Sequence, residues 1–134
     1  MEYHVTVKGF SSGLNELLSG RIYDRRTKRY FNPIKAKNDA LCEKYIKLSE
    51  LRGVHITCPV KIDYSFYCGN KMHDRMNVAS AFIKSFEDAL QKQKVIKNDG
   101  WNDVLTPTLE FGIDKENPRV EVVVKEVKNG EKGI

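Results

Sequence analysis

The chain has 134 residues, of which 40% are hydrophobic and 31% charged, enough to bury one core without staples and too balanced for a disordered segment. No apolar run approaches the ~18 residues needed to cross a bilayer, and the polar start Met1-Glu2-Tyr3-His4 does not read as a secretory signal. The net charge of +5 is local: from Arg21 to Lys37 seven cations face Asp24 alone, a net +6, so the remainder sums to −1.

Cys42, Cys58 and Cys68 are odd in number and lack CxxC spacing, and Cys42 falls on a helix face expected to be buried. They read as reduced thiols in a cytoplasmic protein. With His4, His55 and His73 equally scattered, no zinc spacing arises.

Residues 2–8 alternate apolar and polar, predicting a half-buried strand. Gly9 to Gly13 breaks it, and residues 20–31 read as a short polar hairpin or an ordered loop. Asn32-Pro33 predicts a helix start, with Asn as cap and Pro in the first turn. Leu41, Tyr45 and Leu48 continue at helical spacing until Gly53, which places that helix over roughly 34–52. Val60, Ile62, Tyr64 and Phe66 alternate strictly with polar neighbours and predict a strand.

From Asn77, Val78, Phe82, Phe86 and Leu90, with Ala79, Ile83 and Ala89 beside them, form a broad apolar stripe of a second helix ending near Lys94. Val95 and Ile96 should tuck beneath it. Residues 104–113 and 119–127 read as two more strands joined by Asp114-Lys115-Glu116-Asn117-Pro118, a tight-turn composition. Residues 128–134 read as a frayed tail. Residues 1–134 are thus expected to form one domain of the α/β (α+β) class, a mixed sheet with two helices packed on it.

Two features carry chemistry. Arg21, Arg25, Arg26, Lys28 and Arg29, interleaved with Tyr23, Tyr30 and Phe31, suit a polyphosphate whose bases or sugars stack beside neutralised charge. The plain alternative is a solvated basic hairpin. Asp74 lies just before the second helix, where an acid caps the helix and complements its dipole. It can also serve as a metal ligand with Asp99 beyond the far end. A helix of ~20 residues spans ~30 Å, so it cannot bring its own ends together. A shared metal needs a broken helix, a loop folding back over the sheet, or a second chain.

Asp74-Arg75-Met76-Asn77, then Phe86-Glu87-Asp88-Ala89-Leu90, then Val95-Ile96-Lys97-Asn98-Asp99 resembles the signature of the RusA family of Holliday-junction resolvases. That signature runs D-x-D-N, a helix with a D-A-L segment, a short apolar stretch and D-D. Ser11-Ser12-Gly13-Leu14-Asn15, followed by the basic segment, is similar to the family's P-P-S-x-N loop. The resemblance covers nearly the whole chain. It implies a RusA-like fold, a homodimer, Mg2+ or Mn2+, and paired nicks in four-way DNA junctions during recombination and repair, in a phage or prophage setting.

By position, Asp74 matches the first catalytic aspartate, Asn77 the motif asparagine and Asp99 the last aspartate. Asp103 is a further candidate metal ligand, as are Asp63 and His73, and Asn15 and Lys84 join the basic segment as candidate DNA contacts. Met76 replaces the second aspartate of D-x-D-N, Asn98 replaces the first of D-D, and the family's lysine falls on Ser80. A thioether is a poor ligand for a hard cation.

Three readings stay open: a structure-selective, metal-dependent endodeoxyribonuclease, a weakly active or non-catalytic branched-DNA-binding protein, and an unrelated small α/β protein whose hairpin contacts RNA or protein. Phe82 and Phe86 share the helical stripe and read as core. Trp101 reads as core or interface.

Overall fold

The computed structural model describes residues 1–10, 22–69, 75–97, 100 and 103–127. In chain order the elements are β1 (Glu2–Val7), β2 (Ile22–Asp24), β3 (Arg29–Phe31), α1 (Pro33–Lys47), β4 (Val60–Cys68), α2 (Arg75–Lys92), β5 (Thr108–Ile113) and β6 (Arg119–Glu126). The class is mixed α and β, as expected. A four-stranded sheet has the order β1-β6-β4-β5, and β2 and β3 form a separate two-stranded sheet. β5 runs parallel to β4, while β6 runs antiparallel to both β1 and β4.

Alternation makes this sheet one-sided. Tyr3, Val5 and Val7 of β1 are buried, as are Val60, Ile62, Tyr64 and Phe66 of β4 and Val120, Val122 and Val124 of β6. Their sequence neighbours point to the opposite face, as a two-residue repeat requires. Phe82 and Phe86 of α2 meet that inner face edge-on, at 5.7 Å from Phe66 to Phe82 and 6.1 Å from Tyr64 to Phe86. They are core side chains. Truncating either to alanine would cost about 3–5 kcal/mol. α1 lies against α2 and buries Asn38, Cys42 and Ile46. The Asn38 amide and the Tyr64 hydroxyl enter the core without a hydrogen-bond partner among the described residues, a burial that costs roughly 1–3 kcal/mol for each group left unsatisfied. Among the described residues, no helix is long and apolar enough to cross a membrane.

α1 begins as its sequence predicts. The Asn32 side chain accepts hydrogen bonds from the backbone N–H groups of Ile34 and Lys35, both at 3.1 Å, with Pro33 in the first turn. Its end differs: the helix stops at Lys47, not near residue 52. The Ser49 hydroxyl donates to the Ile46 carbonyl at 2.6 Å and accepts from the Leu51 N–H at 3.1 Å. Those local bonds compete with helix continuation. Leu48 therefore points to solvent at 72% exposure, and the buried stripe runs through Cys42 and Ile46 instead. α2 ends at Lys92, and Val95 and Ile96 do tuck beneath it.

The strand expected over 104–113 starts at Thr108, with Val104 making only an isolated bridge to Val60. The segment from Asp114 to Pro118 does turn tightly, since Asp114 Oδ1 accepts from the N–H groups of Glu116 and Asn117. Yet the strands it joins are not neighbours; β4 lies between them. The tail from residue 128 lies outside the described residues.

Candidate nucleic-acid interface

Within the segment expected as a hairpin or loop, residues 22–31 form a hairpin, with Ile22 opposite Phe31, Tyr23 opposite Tyr30 and Asp24 opposite Arg29. Arg25 to Lys28 form its turn, in which Asp24 Oδ1 accepts from the Arg26 N–H at 2.9 Å. Lys28 takes the left-handed conformation at φ 56°. Such a short arm needs a fixed base, and Asn32 supplies it, standing alone between β3 and the start of α1. Cross-strand pairing brings the rings of Tyr23 and Tyr30 to 5.0 Å. Ile22, Tyr23, Tyr30 and Phe31 are all about half exposed or more, an unusual concentration of apolar surface on so small an element.

Among the described residues, Arg25, Arg26, Lys28 and Arg29 form no ion pair, and all are exposed. Arg21 and Asn15, the other DNA contacts expected in this region, lie outside the described residues. Two cations of the wider set are spoken for. Lys35 bonds Asp39 at 2.7 Å and Asp88 at 3.3 Å. Lys84 bonds Asp88 at 3.2 Å, although its side chain remains 61% exposed. Burial alone would lower the Lys35 ammonium, but hydrogen bonds from it to Asp39 and Asp88 hold it above its ordinary value.

Asp74 and Asp99 lie outside the described residues, as does His73, but their described companions are informative. Asn77 stands in the first turn of α2. Its neighbour Val78 lines a cleft of about 240 Å³ with Val7, Phe10, Cys68 and Gly69, at the C-terminal end of β4. Asp103 stands at the other end, where its carbonyl accepts from the Val60 N–H at 2.9 Å. Gly100 stays with it, accepting from the Asp103 and Val104 N–H groups. Val60 and Cys68 bound a strand of nine residues, so the two ends stand on the order of 25 Å apart. α2 runs between them without a break. One chain does not bring Asn77 and Asp103 together. Among the described residues, no three His, Cys, Asp or Glu side chains group to hold a metal.

Asp63 is engaged elsewhere. On the open face of the sheet its carboxylate takes Lys61 and Lys125, each at 2.8 Å. Burial would raise this carboxyl, but hydrogen bonds from Lys125 and Lys61 outweigh it and hold the group below the usual carboxylate range. Met76 is 56% exposed in the first turn of α2. The thiols are free: burial pushes Cys42 up to about 12 and also raises Cys68, so neither is a poised nucleophile.

One constellation escaped the sequence reading. The Arg119 guanidinium lies 4.2 Å from the Tyr67 ring and bonds Asp114 at 2.8 Å and Glu121 at 2.9 Å. No local pattern signals it, because it joins two strands and a turn. No protein-family model matches the chain, and no curated protein matches it either.

Proposed function

We propose that the protein binds branched DNA through the β2–β3 arm and cuts it by metal-dependent phosphodiester hydrolysis, as a RusA-like Holliday-junction resolvase acting in recombination and repair. The supporting observation is the arm, whose exposed cations Arg25, Arg26, Lys28 and Arg29 lack acidic partners among the described residues and flank the Tyr23–Tyr30 pair. Unpaired cations release counterions from a phosphate backbone, and exposed rings offer stacking to unpaired bases. Lys84, paired with Asp88 at 3.2 Å, adds no free charge to this set.

In this reading Asp74, Asp99 and Asp103 are the ligands of Mg2+ or Mn2+, and Asn77 orients the site. Asn77 and Asp103 stand at opposite ends of β4, so these two do not meet at one metal within a single copy. The reading therefore includes a homodimer, in which two chains contribute. No hydrolytic step is assigned to the residues of one chain alone.

The exposed thioether of Met76, standing where a hard cation would want a carboxylate, favours a second reading on the same scaffold: junction binding without efficient cutting. A labelled four-way junction, incubated with Mg2+ and separately with Mn2+, separates them. Cutting that is lost in Asp74→Asn and Asp99→Asn supports the nuclease. Binding without cutting, with cutting gained in Met76→Asp, supports the second reading. A protein that neither binds nor cuts the junction contradicts both.

A further inference from the structure

The sheet has two outer edges, and they are treated differently. On β1 the outward N–H of His4 donates to Glu50 Oε2 at 2.9 Å, which closes part of that edge. β5 is bonded on one side only, to β4. The Asp114 N–H donates to the Cys68 carbonyl at 2.8 Å, so by strand alternation Thr108, Glu110 and Gly112 aim their backbone groups at β4. Leu109, Phe111 and Ile113 aim theirs outward. Among the described residues nothing pairs with them.

The side chains of those same three residues share the helix-bearing face. Leu109 and Phe111 pack on the core, with Phe111 stacked 5.3 Å from Phe66. The Arg75 guanidinium stands 5.5 Å from the Phe111 ring, which brings the first turn of α2 beside the edge. Ile113 at 51% exposure leaves apolar surface at that edge, and Met76, next to Arg75 in α2, is 56% exposed.

We infer that the β5 edge is where a second copy of this chain docks, through antiparallel β5–β5 pairing centred on Phe111. The strand is self-complementary in that register. Phe111 faces Phe111 of the second copy and Leu109 faces Ile113, so every outward backbone group finds a partner. Glu110 falls opposite Gly112, which keeps the two carboxylates apart. A shift that placed Glu110 opposite itself would oppose like charges and set Ile113 against Pro107, which has no N–H to donate. Ile113 from each copy flanks the Phe111 pair. The pairing also sets the Asn77 end of one chain on the same side as the Asp103 end of the other. This partner deepens the homodimer of the proposed function and rests on that reading only for its bearing on cutting.

Sedimentation equilibrium without DNA or metal tests it, and a failure of junction cleavage leaves its result standing. The wild type is expected at twice 15.4 kDa, falling to one chain on dilution. Ile113→Lys and Met76→Lys, both at exposed positions, should sediment as monomers with unchanged circular dichroism. Hydrogen exchange should show the amides of Leu109, Phe111 and Ile113 protected at high protein concentration and exposed on dilution. A wild type monomeric at every concentration overturns the inference. So does a dimer that survives both lysine variants, or one whose three outward amides exchange freely.

Discussion

The β2–β3 arm and the open face of the sheet both present cations and a tyrosine to solvent, yet they do opposite things with them. On the open face Lys61 and Lys125 share Asp63, and Arg119 bonds Asp114 and Glu121. Tyr67 is covered by that arginine on the same face. On the arm Arg25, Arg26, Lys28 and Arg29 are unpaired among the described residues, and Tyr23 and Tyr30 stand together at 49% and 63% exposure. Positive charge marks a binding surface only where the molecule has not already neutralised it.

Substitutions can break this contrast. On the open face the sharpest test is Gly112→Ala, where an added Cβ would meet the Tyr67 ring at 3.2 Å and 3.3 Å. A loss of about 1–3 kcal/mol is expected in denaturant unfolding, whereas Tyr23→Ala on the arm should stay within about 0.5 kcal/mol. If Tyr23→Ala unfolds the protein instead, the arm is part of the core and the contrast fails.

The same arm should show its effect in binding. Replacing Tyr23 and Tyr30 together by alanine should weaken binding to a junction with unpaired bases by about 1–3 kcal/mol per stacked base, read by fluorescence anisotropy. Binding to plain duplex should change much less. An equal loss on both substrates would assign the rings to shaping the arm rather than to stacking.

The smallest effect concerns pH. Asp63 is held below the ordinary carboxylate range by Lys125 and Lys61, so its contribution to stability is present above the unfolded value of about 3.9 and is lost as pH falls through the folded one. Lys125→Gln should therefore lower the melting temperature at neutral pH, and the gap from wild type should close in acid. A gap that is constant with pH would mean that the lysine acts through packing.

Much of the fold was legible because period decides it. The alternations of β1, β4 and β6 and the apolar stripe of α2 fall where the sequence predicts. The capping asparagine and the proline at Asn32-Pro33 announce α1 correctly. What failed was non-periodic. The end of α1 turns on the Ser49 hydroxyl reaching the Ile46 carbonyl, a local competition that an apolar Leu48 disguised. Strand order was not legible either, because a short turn between β5 and β6 says nothing about β4 lying between them. The candidate site was half legible. The arm stands out by composition, but only side-chain geometry shows that Lys35 and Asp63 are already occupied. Whether Asn77 and Asp103 share a site depends on the path of α2, which spacing along the chain constrains but does not settle.

The most direct test is the salt dependence of four-way-junction affinity for the wild type, for an arm variant with Arg25, Arg26, Lys28 and Arg29 changed to glutamine, and for Lys61→Gln with Lys125→Gln. The account predicts that the arm variant loses roughly a hundredfold or more in affinity and about three units of the logarithmic salt slope. The open-face variant should keep both. Equal losses in the two variants, or an arm variant that binds as the wild type does, would contradict it.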